Sequence, residues 1–283
     1  MDLWLLPSQA QVQALGLAGW ERLARRADPL TMIEPGLDAA LRATFGWSRA
    51  PPWAALLAGE AADSITPWLA ADLIWLRAEQ AGARVMALAA DSPQDDPDRL
   101  ALIEALRPWL ADEAIEIAQA QHGRLLLRCP ASHGDPGTLA PDALLGLDLR
   151  EALPADLRWQ RRLNELQIVL AQQSLNEGRM QRGERCWNSL WFWGQGSAAE
   201  CPSLPLAKVA SRDPQLCALA RHWQRELLEP SQPTPLPVLR DLRHPRDLQQ
   251  AWDAGLRPHA AWLRCIDGSG SRVRPWQRWK IWR

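Results

Sequence analysis

The chain has 283 residues, with 32 Lys and Arg against 33 Asp and Glu and a formal net charge of −1. A chain of this length buries roughly 75% of the surface its unfolded form exposes, so it needs no staples. Its near-zero charge argues against bulk nucleic-acid binding, which requires a strong positive field to hold phosphates.

Arginine supplies almost all the positive charge, since Lys208 and Lys280 are the only lysines. Tyrosine is absent and phenylalanine occurs only as Phe45 and Phe192, against 17 tryptophans. That bias looks like a GC-rich bacterial genome, so the tryptophans are partly inherited composition and no cofactor signature. Cys129, Cys186, Cys201, Cys217 and Cys265 are odd in number, widely spaced and without a C-x-x-C pair. A disulfide framework or zinc ribbon needs a tighter pattern, and free thiols in a reducing compartment are expected.

"LWLLP" at the start is a short apolar run ended by Pro7, which predicts a first buried strand. Leu3 to Trp20 carries no charge, but Pro7, Ser8, Gln9, Gln11 and Gln13 interrupt it. Asp2 stands where a secretory signal wants Lys or Arg. The chain is therefore expected in the cytoplasm, with no membrane partner. "QAQVQALGLAGWERLARRA" places Val12, Leu15, Trp20 and Leu23 at helical spacing until Asp28-Pro29 interrupts, and "GLDAALRATF" predicts a second helix.

"TPWLAADLIWLRAE" and "ARVMALAAD" read as two strands around a turn, followed by an acidic loop from Asp91 to Arg99. The helix "DRLALIEALRPWL" comes next, then a hairpin, "AIEIAQAQHGRLLLRCP", turning at His122-Gly123. Residues 131–148 are rich in Gly, Pro and Asp and predict a loop. Residues 158–182 form the longest helical pattern, and "NSLWFWGQG" follows as a strand ending in a glycine turn. Residues 213–228 predict another helix and 230–237, with four prolines, a stiff connector. A strand ("PVLRDL"), a helix over 246–262 and terminal strands complete the chain. The alternation predicts an α/β class, with a main domain over 1–229 and a segment over 230–283 packing on that same domain.

Most familiar chemistry is missing. No two of the five histidines are three or four residues apart. "DLRHPRD" puts Asp241, His244 and Asp247 at three-residue spacing after a predicted strand, which makes them the best metal candidates. Pro245 breaks a helical presentation and Arg243 and Arg246 add opposing charge, so capping of a helix by Asp or His is the competing reading. "GQG" lacks the other glycines of a nucleotide fingerprint, and "GSGS" reads as a hairpin turn. The end of the chain, "RVRPWQRWKIWR", interleaves arginine with tryptophan, which can stack on bases or sit at a membrane surface; the competing reading is an edge strand protected by its charges.

The segment "RWQRRLNELQIVLAQQSLNEGRMQRGERCWNSLWFWGQG" resembles a family of bacterial regulatory proteins named RpfE. It also resembles the N-x-x-R, Gly and "N-[S/A]-[L/I]-W-x-W-G-x-G" block of archaeal-type cofactor-independent phosphoglycerate mutases. Asn176, Arg179, Gly183, Asn188, Trp191, Trp193, Gly194 and Gly196 carry the match. "WLLP", "PWLAADLIWLRAEQ" and "WKIWR" extend the likeness to the RpfE type along the chain. Leu73, Trp75 and Gln173 depart from it, which removes a histidine-dependent role there.

This resemblance implies a mixed sheet flanked by helices, a reduced form of the alkaline-phosphatase and phosphoglycerate-mutase fold. Those mutases use two divalent metals and a serine nucleophile, with an Asp-Gly ending the first strand. Here Pro7-Ser8 stands instead, and their "G-N-S" turn has no counterpart. The implied function is a non-catalytic regulatory scaffold, a pseudoenzyme without cofactor that acts through an unidentified protein partner or a small anion. A metal-dependent mutase or phosphatase with a rearranged site is the alternative. Asn176, Arg179 and Asn188 are candidates to hold the anion beside the turn, with Trp191, Trp193, Gly194 and Gly196 shaping it. The same residues can also do no more than order a helix-to-strand connection. Alternation would bury Trp191 and Trp193 on one face and Phe192 on the other, at roughly 200 Å² and on the order of 5 kcal/mol per tryptophan.

Overall fold

The computed structural model describes residues 1–62, 65–80, 82–89, 97–121, 124–235 and 237–274. It opens with β1 (Asp2–Leu6), buried at every position as a strand covered on both faces must be. The single helix expected over 9–27 is two, α1 (Gln9–Ala14) and α2 (Trp20–Arg26), separated by Gly16 and Gly19. Ser8 caps α1 in a reciprocal box with Gln11. Then come β2 (Asp28–Pro29), α3 (Leu37–Phe45) and α4 (Trp53–Ala58).

Strands β3 (Trp68–Glu79) and β4 (Gly82–Leu88) precede α5 (Pro97–Asp112), β5 (Glu116–Gln121) and β6 (Arg124–Arg128). A short α6 (Leu149–Ala152) follows directly on the loop expected over 131–148, capped by Asp148. The long helix expected over 158–182 divides into α7 (Leu157–Ala171) and α8 (Ser174–Gln181). Asn176 Nδ2 donates to the Leu170 carbonyl at 2.9 Å, which satisfies one of the acceptors a helix end leaves over. β7 (Ser189–Gly196) carries the aromatic block.

The chain continues with β8 (Lys208–Ala210) and α9 (Pro214–His222). That helix stops six residues short of the expected end, at Trp223 and the left-handed Gln224 (φ 51°), and yields to β9 (Glu226–Leu228). β10 (Val238–Asp241), α10 (Pro245–Asp253), β11 (Ala261–Cys265) and β12 (Gly270–Val273) follow. The helix expected through 262 ends at Asp253, where Gly255 turns the chain at φ 81°, and 261–265 join a sheet. The turn at His122-Gly123, most of the acidic loop after Asp91, and the terminus from Pro275 lie outside the described residues.

Two compact units result: Met1–Ala50 with the chain from Pro202 on, and Pro51–Cys201. This differs from a main domain over 1–229 carrying the C-terminal segment as an addition. β1 hydrogen-bonds in parallel to both β10 and β11, so the C-terminal segment supplies the neighbours of the first strand. The first unit's sheet runs β2-β12-β11-β1-β10-β8-β9, parallel from β11 to β9, with β12 and β2 antiparallel at one edge. Trp4, Leu6, Leu263 and Cys265 on one face pack with Val12, Leu248 and Trp252 from the helices. Arg240 ties the proline-rich connector to β10, donating to the carbonyls of Pro230 and Gln232.

The second unit holds a five-stranded antiparallel sheet. β3 is its centre: β7 lines one side, while β6 and then β4 succeed each other along the other. The architecture is therefore mixed α/β, with helices flanking sheets. Among the described residues no helix is long and apolar enough to cross a membrane.

Candidate functional site

The block expected to hold an anion lies where α8 passes into β7. Asn176 is buried, and its carboxamide is fully used: Nδ2 donates to the carbonyls of Leu170 and Trp187 at 2.9 and 3.0 Å, and Oδ1 accepts from Trp187 N at 3.0 Å. Arg179 is buried as well. Its Nε donates to the Arg185 carbonyl at 2.7 Å, its Nη1 reaches Asp98 at 3.3 Å, and its guanidinium lies 5.7 Å from the centre of the Trp187 ring. Asn188 extends the strand ladder with its side chain, donating to the Leu76 carbonyl at 2.9 Å and accepting from Leu76 N at 2.8 Å. All three candidates meet in one region, and each directs its polar atoms at the chain itself.

The aromatics are as buried as alternation requires. Trp191, Phe192 and Trp193 are each no more than 1% exposed. Phe192 packs against Trp159 of α7 with ring centroids 5.0 Å apart. Trp191 Nε1 donates to the Leu139 carbonyl at 3.0 Å, and Thr138 Oγ1 donates to the Phe192 carbonyl. The Arg124 guanidinium stacks 4.7 Å from the centre of the Trp193 ring.

Gly194 and Gly196 have a steric role. At φ 66° a Cβ on Gly194 would stand 3.1 Å from Trp53 Cβ. At φ 146° a Cβ on Gly196 would stand 2.8 Å from Pro52 Cβ. The glycines let the start of α4 close against the end of β7, which is a packing demand and needs no ligand.

Sequence reasoning missed the ion pair beside these aromatics. Asp72, fully buried on β3, sits opposite Trp191 in register and takes both Arg124 Nε and Nη2, at 2.8 and 2.9 Å. This bidentate geometry is the strong form of the pair. Its only sequence signal is a charge inside an apolar strand, "LAADLIW", answered by an arginine opening "RLLLR".

The metal candidates lie elsewhere, at the carboxyl ends of β8 and β10 in the first unit. Asp241 is buried and accepts from Ser211 Oγ at 2.8 Å, from Arg243 Nε at 2.8 Å and from Arg243 Nη2 at 3.0 Å. The same Arg243 Nη2 reaches Asp213 at 2.9 Å. Burial pushes the Asp241 carboxyl up, but the Arg243 charge and the Arg243 and Ser211 hydrogen bonds outweigh it and hold it below its usual value. His244 is the N-cap of α10, its Nδ1 accepting from Arg246 N at 3.2 Å. Asp247 pairs with Arg212 at 3.1 Å. The three are neighbours in sequence but serve different partners, and no group of three or more potential metal ligands forms among the described residues.

No family model matches the chain, and no curated protein matches it. Two solved structures align with most of it. The PH0037 protein from Pyrococcus horikoshii is 12% identical, with 95% of this chain and 84% of that one covered and a TM-score of 0.46. A cofactor-independent phosphoglycerate mutase from Thermoplasma acidophilum is 14% identical, with 94% and 86% covered and a TM-score of 0.33.

Proposed function

We propose that the chain is a cytoplasmic regulatory scaffold of the RpfE type, a phosphoglycerate mutase-like frame that performs no catalysis and acts through a protein partner. The observation that supports this reading is Arg243. It lies between Asp241 and Asp213 where an α/β sheet presents its chemistry, at the carboxyl ends of parallel strands. Phosphoryl transfer of the mutase type needs cations to meet the charge spread over the moving group. Here the carboxylates that could hold such a cation already have their charge met by the chain's own guanidinium. Ser8, which stands where the resemblance places an Asp-Gly, uses its hydroxyl to cap α1.

A partner is favoured over a small anion because Asn176, Arg179 and Asn188 turn their polar atoms toward backbone carbonyls, the Leu76 and Trp187 amides and Asp98. The test is a coupled phosphoglycerate mutase assay on the purified chain with Mn²⁺, Mg²⁺, Co²⁺ or Zn²⁺ in excess, paired with calorimetric titration of 3-phosphoglycerate and inorganic phosphate. No turnover and no heat of binding are expected. Chelator-sensitive turnover would overturn the scaffold reading and return Asp241, His244 and Asp247 to the role of ligands. Binding without turnover would replace the partner with the anion.

A further inference from the structure

A cavity of about 570 Å³ opens within the first unit, on the sheet face beside α1 and α2. Its floor follows from strand register. Trp4 pairs with Leu263 and Leu6 with Cys265 across β1 and β11, and Leu263 pairs with Ser271 across β11 and β12, so Leu6, Leu263 and Ser271 share one face. Its roof follows from the broken helix. α1 presses Val12 into the core, but after Gly16 and Gly19 the chain turns away and α2 runs toward β12 without burying any of its seven residues. With Trp20 and Leu23 only partly buried against the core, α2 leaves part of the space beneath it as a hollow. Trp20, at the start of α2, forms one wall with its indole edge against Trp252, ring centroids 5.5 Å apart.

We propose that this cavity is a binding site for a small, uncharged, largely apolar molecule. Its volume falls within the span of small-molecule sites, and it lies toward the carboxyl ends of β1 and β11, where parallel sheets hold their ligands. Leu6, Val12, Trp20 and Leu263 supply apolar wall, while the Gln13 amide and the Ser269 and Ser271 hydroxyls supply a few neutral hydrogen-bonding groups. Among the described residues no lysine or arginine lines it, and the one ionised lining side chain is Glu21. A phosphate or carboxylate entering would lose hydration against the apolar wall and find no cation among the described lining residues to replace it, so the site selects against anions. The inference does not depend on the scaffold reading, because a catalytic chain could carry the same hollow.

A matched pair of fluorescent probes tests both halves of the proposal. N-phenyl-1-naphthylamine is uncharged, and 1-anilinonaphthalene-8-sulfonate adds an anion to the same ring frame. The full chain is expected to bind the neutral probe saturably at one site, and the sulfonate at least roughly tenfold more weakly. Ala24→Trp and Ser271→Leu each fill the cavity, from the roof and from the floor, and each is expected to remove that binding. Circular dichroism identifies any variant that fails to fold, and the other then carries the test. Neutral-probe binding unchanged in a folded cavity-filling variant overturns the site. Sulfonate binding equal to or tighter than the neutral probe overturns the charge selection.

Discussion

The Asn188 side chain pairs with both backbone polar groups of Leu76, accepting from its N–H at 2.8 Å and donating to its carbonyl at 2.9 Å. The register of β3 against β4 shifts between Trp75 and Leu76, and the β7 ladder ends at Ile74 opposite Ser189. The carboxamide therefore carries the hydrogen-bond pattern past the end of the strand. Asn188→Ala leaves the groups of a buried residue without these partners and is expected to cost about 2 kcal/mol. Urea unfolding should show a lower midpoint at unchanged slope. A midpoint equal to that of the parent would mean solvent replaces the carboxamide without loss.

Gly196→Ala places a methyl 2.8 Å from Pro52 Cβ on a backbone at φ 146°. Overpacking and the unfavourable backbone together are expected to cost about 3 kcal/mol. The melting temperature should fall by about 6 °C. An unshifted melt would show that the start of α4 can back away from β7.

Asp241→Asn removes one partner of a buried ion pair and is expected to cost about 3 kcal/mol at neutral pH, since Arg243 then loses the carboxylate it grips at two oxygens. The folded state holds this carboxyl below its unfolded value. Its stabilisation is therefore complete above the unfolded value, near 3.8, and disappears as pH falls through the lower folded one. The gap between parent and variant should stay constant from neutral pH to mildly acidic pH and close only below about pH 4. A gap that narrows already around neutrality would place the responsible titration on another group.

Burial pushes the Cys129 thiol up to about 11, so at pH 8 only about one part in a thousand is thiolate, the form that reacts. Cys186 is half-buried, its Sγ 3.5 Å from the Asn176 carbonyl. Iodoacetamide on the native chain is expected to alkylate Cys186 first and Cys129 only on unfolding, with peptide mass spectrometry reading the order. Early modification of Cys129 would contradict the packing around it.

Local patterns carried much of this molecule. The apolar run "LWLLP", the alternation in "SLWFWGQG" and the helical pattern from Arg246 placed β1, β7 and α10, because burial acts on neighbours in sequence. His244 behaves as the cap that its position before Pro245 allowed. Helix ends were harder to read. Residues 158–182 keep helical periodicity throughout, yet Asn176 reaches back to Leu170 and forward to Trp187, a tertiary bond that no period reveals. The same holds for 224–228, helical in pattern and drawn into β9 by pairing with β8.

The sequence by itself determined an α/β chain with buried tryptophans, five widely spaced cysteines and charged residues in a few unexpected places. Only the tertiary structure decided what those charges do. Asp72 meets Arg124 across 52 positions of sequence, and Ser211 meets Asp241 across 30, so spacing could not connect them. The placing of β10 and β11 on either side of β1 was equally hidden, since parallel pairing joins segments more than 230 residues apart. The hollow under α2 follows from that assembly: residues near both ends of the chain bound it, and no single segment announces it.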